Sequence, residues 1–251
     1  MIKINVLIDS VAALRRESGR TTPDPITAVA LTELGGADSV TISYLPAQRL
    51  YHDYEYNLIR QVTHTHLTVI MPASEEVLPR VVAMRPDLIL IVPAGYQTVA
   101  ASSDWAGAVW PEKDAVGRSL DPVVSAIRQE GIPVSVLIKA SATDVRACVQ
   151  LKADCVHIDT APFALSVNGN EEHRALIDLD AAIKVASRSG LGVSVGRGLD
   201  GSHAQDVAGI AGVDEILVGH SVIARGLALG LEQSMRDFVD RVRAATRLVV
   251  N

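Results

Sequence analysis

Eight short runs of β-branched and aliphatic residues recur along this chain, at residues 4–9, 39–44, 67–71, 88–92, 134–139, 155–159, 192–195 and 215–218, and helical patterning follows each. Strands alternating with helices make parallel βαβ units, and eight such units close into a (β/α)8 TIM barrel of the α/β class. The competing arrangement is an open doubly wound sheet, which uses a glycine-rich first turn. The first turn here reads Ile8-Asp9-Ser10-Val11-Ala12. The 251 residues suit one barrel of roughly 250, so a single domain over 1–251 is expected. Hydrophobic residues make up 48% of the chain and aromatic ones 4%, a balance that suits parallel strands buried under helices.

Several boundaries are legible. Gly35-Gly36 is expected to end the first helix, Gly131 precedes the fifth strand, Ser189-Gly190 precedes the seventh, and Pro133 stands at a strand start, where the ladder tolerates it. A last helix is expected to run unbroken from 221 to about 247 on the stripe Ile223, Leu227, Leu231, Met235, Phe238 and Val242. Two long connections, 93–114 and 161–172, leave the C-terminal ends of strands. Barrel enzymes build their sites on that face, so these insertions read either as lids or as surface decoration.

Net charge is −6 and the basic residues are dispersed, which argues against a nucleic-acid surface. Cys148 and Cys155 form neither a disulfide framework nor a metal spacing, and no apolar run approaches the ~20 residues of a membrane span. A cytoplasmic protein without metal is expected. His64-Thr65-His66, the nearest thing to a ligand pair, falls before the third strand at the barrel's far end and reads as a solvated turn.

The informative positions are the strand ends. Gly196-Arg197-Gly198 ends the seventh strand, and Gly219-His220-Ser221 ends the eighth and opens a helix. Glycines there let backbone N–H groups approach an anion, and the helix N-terminus adds its dipole, so this corner is expected to hold a phosphate. Arg197 and His220 would donate to it, and Ser10, Ser43 and Thr160 are candidate polar contacts at other strand ends. Lys139 follows an apolar run; it is either an imine-forming amine, an anion contact, a partner of Asp159 or a solvent-facing residue. His157 and Asp159 share one face of the sixth strand and could make a carboxylate–imidazole pair, although alternation leaves open whether that face is the barrel interior or the helix layer. Asp9 is either a general base or orienting carboxylate, or a capping group paired with Arg15 or Arg16.

A family likeness runs through the chain. It begins with residues 5–15, Asn-Val-Leu-Ile-Asp-Ser-Val-Ala-Ala-Leu-Arg, and Pro23-Asp24-Pro25. It continues through Gly36-Ala37-Asp38-Ser39-Val40-Thr41, Glu75-Glu76-Val77-Leu78, Leu90-Ile91-Val92-Pro93 and Gly131-Ile132-Pro133-Val134-Ser135, then Gly190-Leu191, Gly196-Arg197-Gly198-Leu199 and Gly219-His220-Ser221-Val222. In these segments the chain resembles the pyridoxine 5′-phosphate synthase family. The resemblance implies a barrel enzyme, a homo-oligomer built from dimers, that condenses 1-deoxyxylulose 5-phosphate with 3-amino-2-oxopropyl phosphate without metal or organic cofactor. It also implies that Gly198, Gly219 and His220 hold a substrate phosphate.

Set against the family pattern, many reacting positions differ. Leu7 and Ser10 stand where the first-strand motif carries Asn and His, and Ser43 replaces the second-strand histidine. Leu45 and Pro46 replace an Arg and a Glu, Ile70 replaces the third-strand glutamate, and Pro93-Ala94-Gly95 replaces Pro-Glu-Lys. His157 and Asp159 align with Glu and His, Lys139 with Asp, and Arg197 with His. Losing one acid/base group costs about 10²–10⁴-fold, so the resemblance implies three outcomes. One is an enzyme repurposed to another condensation, dehydration or cyclisation of a phosphorylated or anionic carbonyl or amino compound, with Lys139, Asp9, Asp159 and His157 as reacting candidates. The others are a phosphate-binding pseudoenzyme and a true synthase with an altered residue set.

Overall fold

Eight parallel strands close on themselves in the order β1 to β8, with β1 hydrogen-bonded to β8. This computed structural model describes residues 1–98, 110 and 119–249. The strands are β1 (Lys3–Leu7), β2 (Ser39–Ser43), β3 (His66–Pro72), β4 (Leu88–Val92), β5 (Val134–Ile138), β6 (Cys155–Asp159), β7 (Gly192–Gly196) and β8 (Glu215–Val218). Between and after them run α1 (Asp9–Ser18), α2 (Pro25–Leu34), α3 (Asp53–Val62), α4 (Leu78–Ala83), α5 (Asp121–Gln129), α6 (Ala142–Gln150), α7 (Ala161–Ala164), α8 (Gly169–Arg188), α9 (Gly201–Ala208), α10 (His220–Leu229) and α11 (Leu231–Val249). Among the described residues no helix is long and apolar enough to cross a membrane.

Strand register is set by a device repeated four times. Asp38, Asp87, Asp154 and Asp214 each stand just before an even-numbered strand. Their carboxylates accept the backbone N–H of Ile4 (2.9 Å), Leu67 (2.8 Å), Val134 (2.9 Å) and Val193 (2.9 Å) on the preceding strand. Each aspartate's own N–H returns a bond to the carbonyl of the same residue, at 2.8–2.9 Å. At Asp87, burial would raise the carboxyl pKa, but the Leu67 N–H and the Arg60 guanidinium outweigh it and lower the value. Alternate strand residues then divide cleanly. Ile4, Val6, Val40, Ile42, Leu67 and Val69 pack outward under the helices, whereas Asn5, Thr41, Thr68, Ser135, His157, Ser194 and Glu215 meet inside the barrel.

Local capping follows the sequence. Asp24 accepts from the N–H groups of Ile26 and Thr27 (3.1 Å each) ahead of a proline at the first turn of α2, and Ser141, Asn168 and Asp200 cap α6, α8 and α9. A buried ion pair, Arg15 with Glu55, ties α1 to α3.

Three expectations require correction. Gly35-Gly36 closes the second helix, not the first, because α1 stops at Gly19 in a left-handed conformation (φ 64°). Asp9 is the first residue of α1, since β1 ends at Leu7. The last helix is two: Gly230, at φ 85°, breaks it, a conformation open to glycine at little cost. Ser234 Oγ then donates to Val222 O (2.7 Å), folding α11 back on α10, and Leu227 is left exposed while Met235, Phe238 and Val242 enter the core. Of the 93–114 connection, Trp105, Gly107 and Pro111 lie outside the described residues, and with them the lid reading of that segment. The 161–172 connection is largely helical, in α7 and the start of α8.

Removing one register carboxylate leaves a buried backbone N–H without that acceptor, which costs about 1–3 kcal/mol. Asp214→Ala is therefore expected to lower unfolding stability by that amount in a denaturant titration, with the native fold retained.

Candidate active site

At the C-terminal mouth of the barrel lies a cavity of about 220 Å³. Its floor is apolar, built from Leu7, Ile70, Leu90 and Leu217, and Leu165 and Leu199 wall one side. Arg197, His157, Tyr96 and Thr98 bring polar atoms to it, and Gly198, Gly219, His220 and Ser221 form the rim. The strand termini position these groups, and the turns after β7 and β8 shape the rim.

The turn after β7 is built around Arg197, a non-glycine residue at φ 86°. Such a conformation costs about 1–3 kcal/mol and persists only where neighbours over-determine it. Here Thr160 Oγ1 donates to Arg197 O (2.7 Å). The Arg197 guanidinium donates to Asp159 Oδ2 (2.9 Å) and stands 5.5 Å from the Tyr96 ring centroid in a cation–π contact. Asp159 Oδ1 in turn accepts from Ala161 N (2.8 Å), locking α7 to the strand end. Burial pushes the Tyr96 phenol well above its ordinary pKa, and the Arg197 charge opposes the shift.

Across the rim, α10 starts at Gly219, which offers its first turn no side-chain cap. The neighbouring α9 differs, because Asp200 accepts from Ser202 N (2.8 Å) and His203 N (2.9 Å). The open N–H groups at the start of α10 face the cavity edge beside exposed His220, a geometry that suits an anion. Ser221 Oγ donates to Leu199 O (2.7 Å), tying the two turns together.

His157 points into the barrel, which decides the face that strand alternation left open. Its Nδ1 lies 2.9 Å from Ser194 Oγ, while Asp159 goes to Arg197; the two are engaged separately. Burial pushes the imidazole down to about 4, so the ring is neutral at neutral pH.

Asp9 is fully buried and does not touch Arg15 or Arg16. Its Oδ1 accepts from Ser43 N (3.1 Å) and Tyr51 Oη (2.7 Å), and Oδ2 from the Thr98 hydroxyl. Burial raises its pKa against those hydrogen bonds. Ser43 and Thr160 are buried and serve the frame, and Ser10 is partly exposed at the start of α1. Lys139 is exposed just past β5, its N–H donating to Asp144 Oδ2 (3.3 Å), and it is not among the described residues lining the cavity. The structure thus brings together Gly198, Gly219, His220, Arg197 and His157 at the cavity, with Asp159 and Thr160 just behind Arg197. Tyr96, Thr98, Ser194 and Glu215 were missed from sequence. Ser194 and Glu215 were legible only as lone polar residues within apolar strands. Among the described residues no group of three or more His, Cys, Asp or Glu side chains could hold a metal ion.

Residues 4–244 match the family described as pyridoxal phosphate biosynthesis protein PdxJ. The chain belongs to the PdxJ family. Pyridoxine 5′-phosphate synthase of Geobacter sulfurreducens is 33% identical over 247 residues, covering 98% of this chain and 100% of that protein. The synthase of a Synechococcus species is 30% identical over 239 residues, 94% of this chain and 92% of its own. Among solved structures, phosphoribosyl anthranilate isomerase from Thermus thermophilus superposes with a TM-score of 0.61 at 12% identity, over 97% of this chain and 99% of that one. A structure titled native KDPGal gives 0.63 at 13%, over 98% and 97%. At such identity these structures speak to the barrel alone, whereas the family match speaks to ancestry along the whole chain.

The His157 environment has a measurable consequence. Between pH 6.5 and about 4 the unfolded chain binds a proton at this residue that the folded PdxJ-family barrel does not. Stability from this group is therefore present above the unfolded pKa and lost as pH falls through that window. Wild type is expected to lose up to about 3 kcal/mol more than His157→Gln between pH 7 and pH 4 in parallel denaturant titrations.

Proposed function

We propose that this chain is a PdxJ-family enzyme that has kept the phosphate corner and turned the cavity to a different condensation, dehydration or cyclisation, on a phosphorylated or otherwise anionic carbonyl or amino compound. The observation that carries this reading is the make-up of the cavity. An open helix N-terminus, Arg197 and His220 border an apolar floor of Leu7, Ile70, Leu90 and Leu217. In this reading the phosphate rests on Gly198, Gly219 and the first turn of α10, with His220 donating to it. The carbon skeleton lies over the leucines and Ile70, which hold water off and strengthen every charge interaction in the mouth. Arg197, aimed by Asp159 and Tyr96, stabilises negative charge developing on a carbonyl oxygen. His157, neutral and facing the cavity, is the proton acceptor. No imine step is assigned, because Lys139 stands exposed beyond β5.

Two other readings rest on specific observations. The floor's aliphatic side chains and the tying-up of Asp9 by three donors favour a binding protein without turnover. The 30–33% identity to proteins called pyridoxine 5′-phosphate synthase favours that synthesis itself by an altered residue set. Assembly from dimers belongs to the same family-based proposal and is read by sedimentation.

The deciding experiment incubates the protein with 1-deoxyxylulose 5-phosphate and a panel of phosphorylated ketones and amines, following product formation, phosphate release and ligand-induced thermal stabilisation. Turnover of another panel member without pyridoxine 5′-phosphate supports the proposal. Stabilisation with no product supports the binding protein, formation of pyridoxine 5′-phosphate the synthase, and silence toward every phosphorylated ligand sinks all three. Charge-assisted hydrogen bonds contribute about 1.5–3 kcal/mol. Arg197→Gln and His220→Ala are therefore each expected to weaken binding of the phosphorylated ligand by about 10–100-fold in calorimetric titration.

A further inference from the structure

Beneath the cavity the barrel interior holds a connected polar layer whose centre is the Glu215 carboxylate. Its Oε1 accepts from Asn5 Nδ2 (3.1 Å) and Ser194 Oγ (3.0 Å), and Oε2 accepts from Ser39 Oγ (3.1 Å). Thr41 Oγ1 extends the network by donating to Asn5 Oδ1 (2.7 Å). His157 belongs to both levels, since it borders this polar layer and the cavity above. Its Nδ1 meets the same Ser194 Oγ at 2.9 Å.

Donor counting fixes the direction of this chain. A serine hydroxyl carries one proton, and an ionised carboxylate can only accept. With that proton given to Glu215, Ser194 Oγ can engage His157 only as an acceptor, which places the imidazole proton on Nδ1. The ring's remaining lone pair is then on Nε2, the nitrogen left for the cavity.

We propose that Ser194 and Glu215 are positioning residues, which hold His157 as the Nδ1–H tautomer through a carboxylate–hydroxyl–imidazole chain and so present Nε2 to the cavity as the proton acceptor. This rests on the reading of His157 given under the proposed function and adds the groups that set its proton inventory. The partner a hydrogen bond gives to one ring nitrogen determines the state of the other. Ring placement is further constrained by Gly196, two residues beyond Ser194 along β7. A Cβ at that position would lie 2.9 Å from His157 Cε1 and 2.6 Å from Leu217 O, so only glycine leaves room for the imidazole as placed. Burial holds the ring neutral well below neutral pH, which keeps the lone pair available. The step served is proton transfer alone. A C–H proton next to the substrate carbonyl passes to Nε2, its electron pair stays on the substrate as an enolate beside Arg197, and the imidazolium later returns the proton to a departing hydroxyl, released as water. While the ring is charged, the Ser194–Glu215 end of the chain stabilises it.

The test is a two-bond proton–nitrogen spectrum of the ligand-free, uniformly nitrogen-15-labelled protein at neutral pH. The His157 ring signals are assigned by their loss in His157→Gln. The expected result is a protonated Nδ1 and an unprotonated Nε2, converted to a mixture or to the opposite tautomer in Ser194→Ala and Glu215→Gln and retained in Ser194→Thr. With a turnover assay in hand, Ser194→Ala should lower kcat about 10-fold or more with little change in KM. A wild-type spectrum with the proton on Nε2, or variants that leave the tautomer unmoved, would overturn the proposal. The wild-type spectrum decides even where a variant fails to fold. Because no substrate is present, absence of catalysis leaves the tautomer result standing, and a wrong tautomer leaves phosphate binding intact.

Discussion

Closure of the sheet, by pairing β1 with β8, is the constraint on which the rest of the molecule depends. Once the edge strands meet, every second side chain of eight strands points into one narrow interior. In most such barrels branched aliphatic residues fill that space. This chain instead places Asn5, Thr41, Thr68, Ser135, Ser194 and Glu215 there. Buried polar groups are mostly hydrogen-bonded; the Glu215 carboxylate takes three donors from strands on both sides of the closure, whereas Ser135 Oγ has no partner among the described residues. The carboxylate cluster is thus a product of closure, since Glu215 on β8 and its donors on β1, β2 and β7 come together only when the sheet closes.

Above it the chemistry inverts. The floor of the mouth is aliphatic, from Leu7, Ile70, Leu90 and Leu217, and polar groups are confined to the turns after β4, β7 and β8 and to His157. An anion entering such a site meets its donors at one edge and apolar surface elsewhere, which fixes its orientation. Arg197 shows how much structure is committed to that edge. Its backbone is held at φ 86° by Thr160, and its side chain is held by Asp159 and faced by Tyr96. Asp159 at the end of β6 and Tyr96 in the loop after β4 therefore converge on one guanidinium.

Much of the fold was legible because it follows from local periodicity. The eight runs of residues alternate with helices, and seven of their limits needed at most a residue or two of adjustment. The Asp-before-strand repeat at Asp38, Asp87, Asp154 and Asp214 went unread in the sequence, because its meaning as a register lock needs the neighbouring strand's N–H. The last helix was misread because its heptad-like stripe continues through Gly230, and propensity alone does not stop a helix there; packing of Ser234 against Val222 and of Met235 in the core makes the break favourable. Lys139 attracted notice as a charge after an apolar run, yet a residue one step beyond the strand escapes the alternation that aims its neighbours.

The sequence by itself determined the barrel, the glycine-rich turns at Gly198 and Gly219 after its last two strands, and membership of a family whose likeness runs from end to end. These depend on spacing along the chain and on the intrinsic behaviour of glycine, aspartate and helix ends. Only the tertiary structure decided which way His157 faces, that it meets Ser194, which in turn donates to Glu215, and that Asp9 is enclosed by Ser43, Tyr51 and Thr98. Those contacts join residues 21–89 positions apart. Alternation gives each strand two faces without saying which is inside, and that is settled only when all eight strands share one interior.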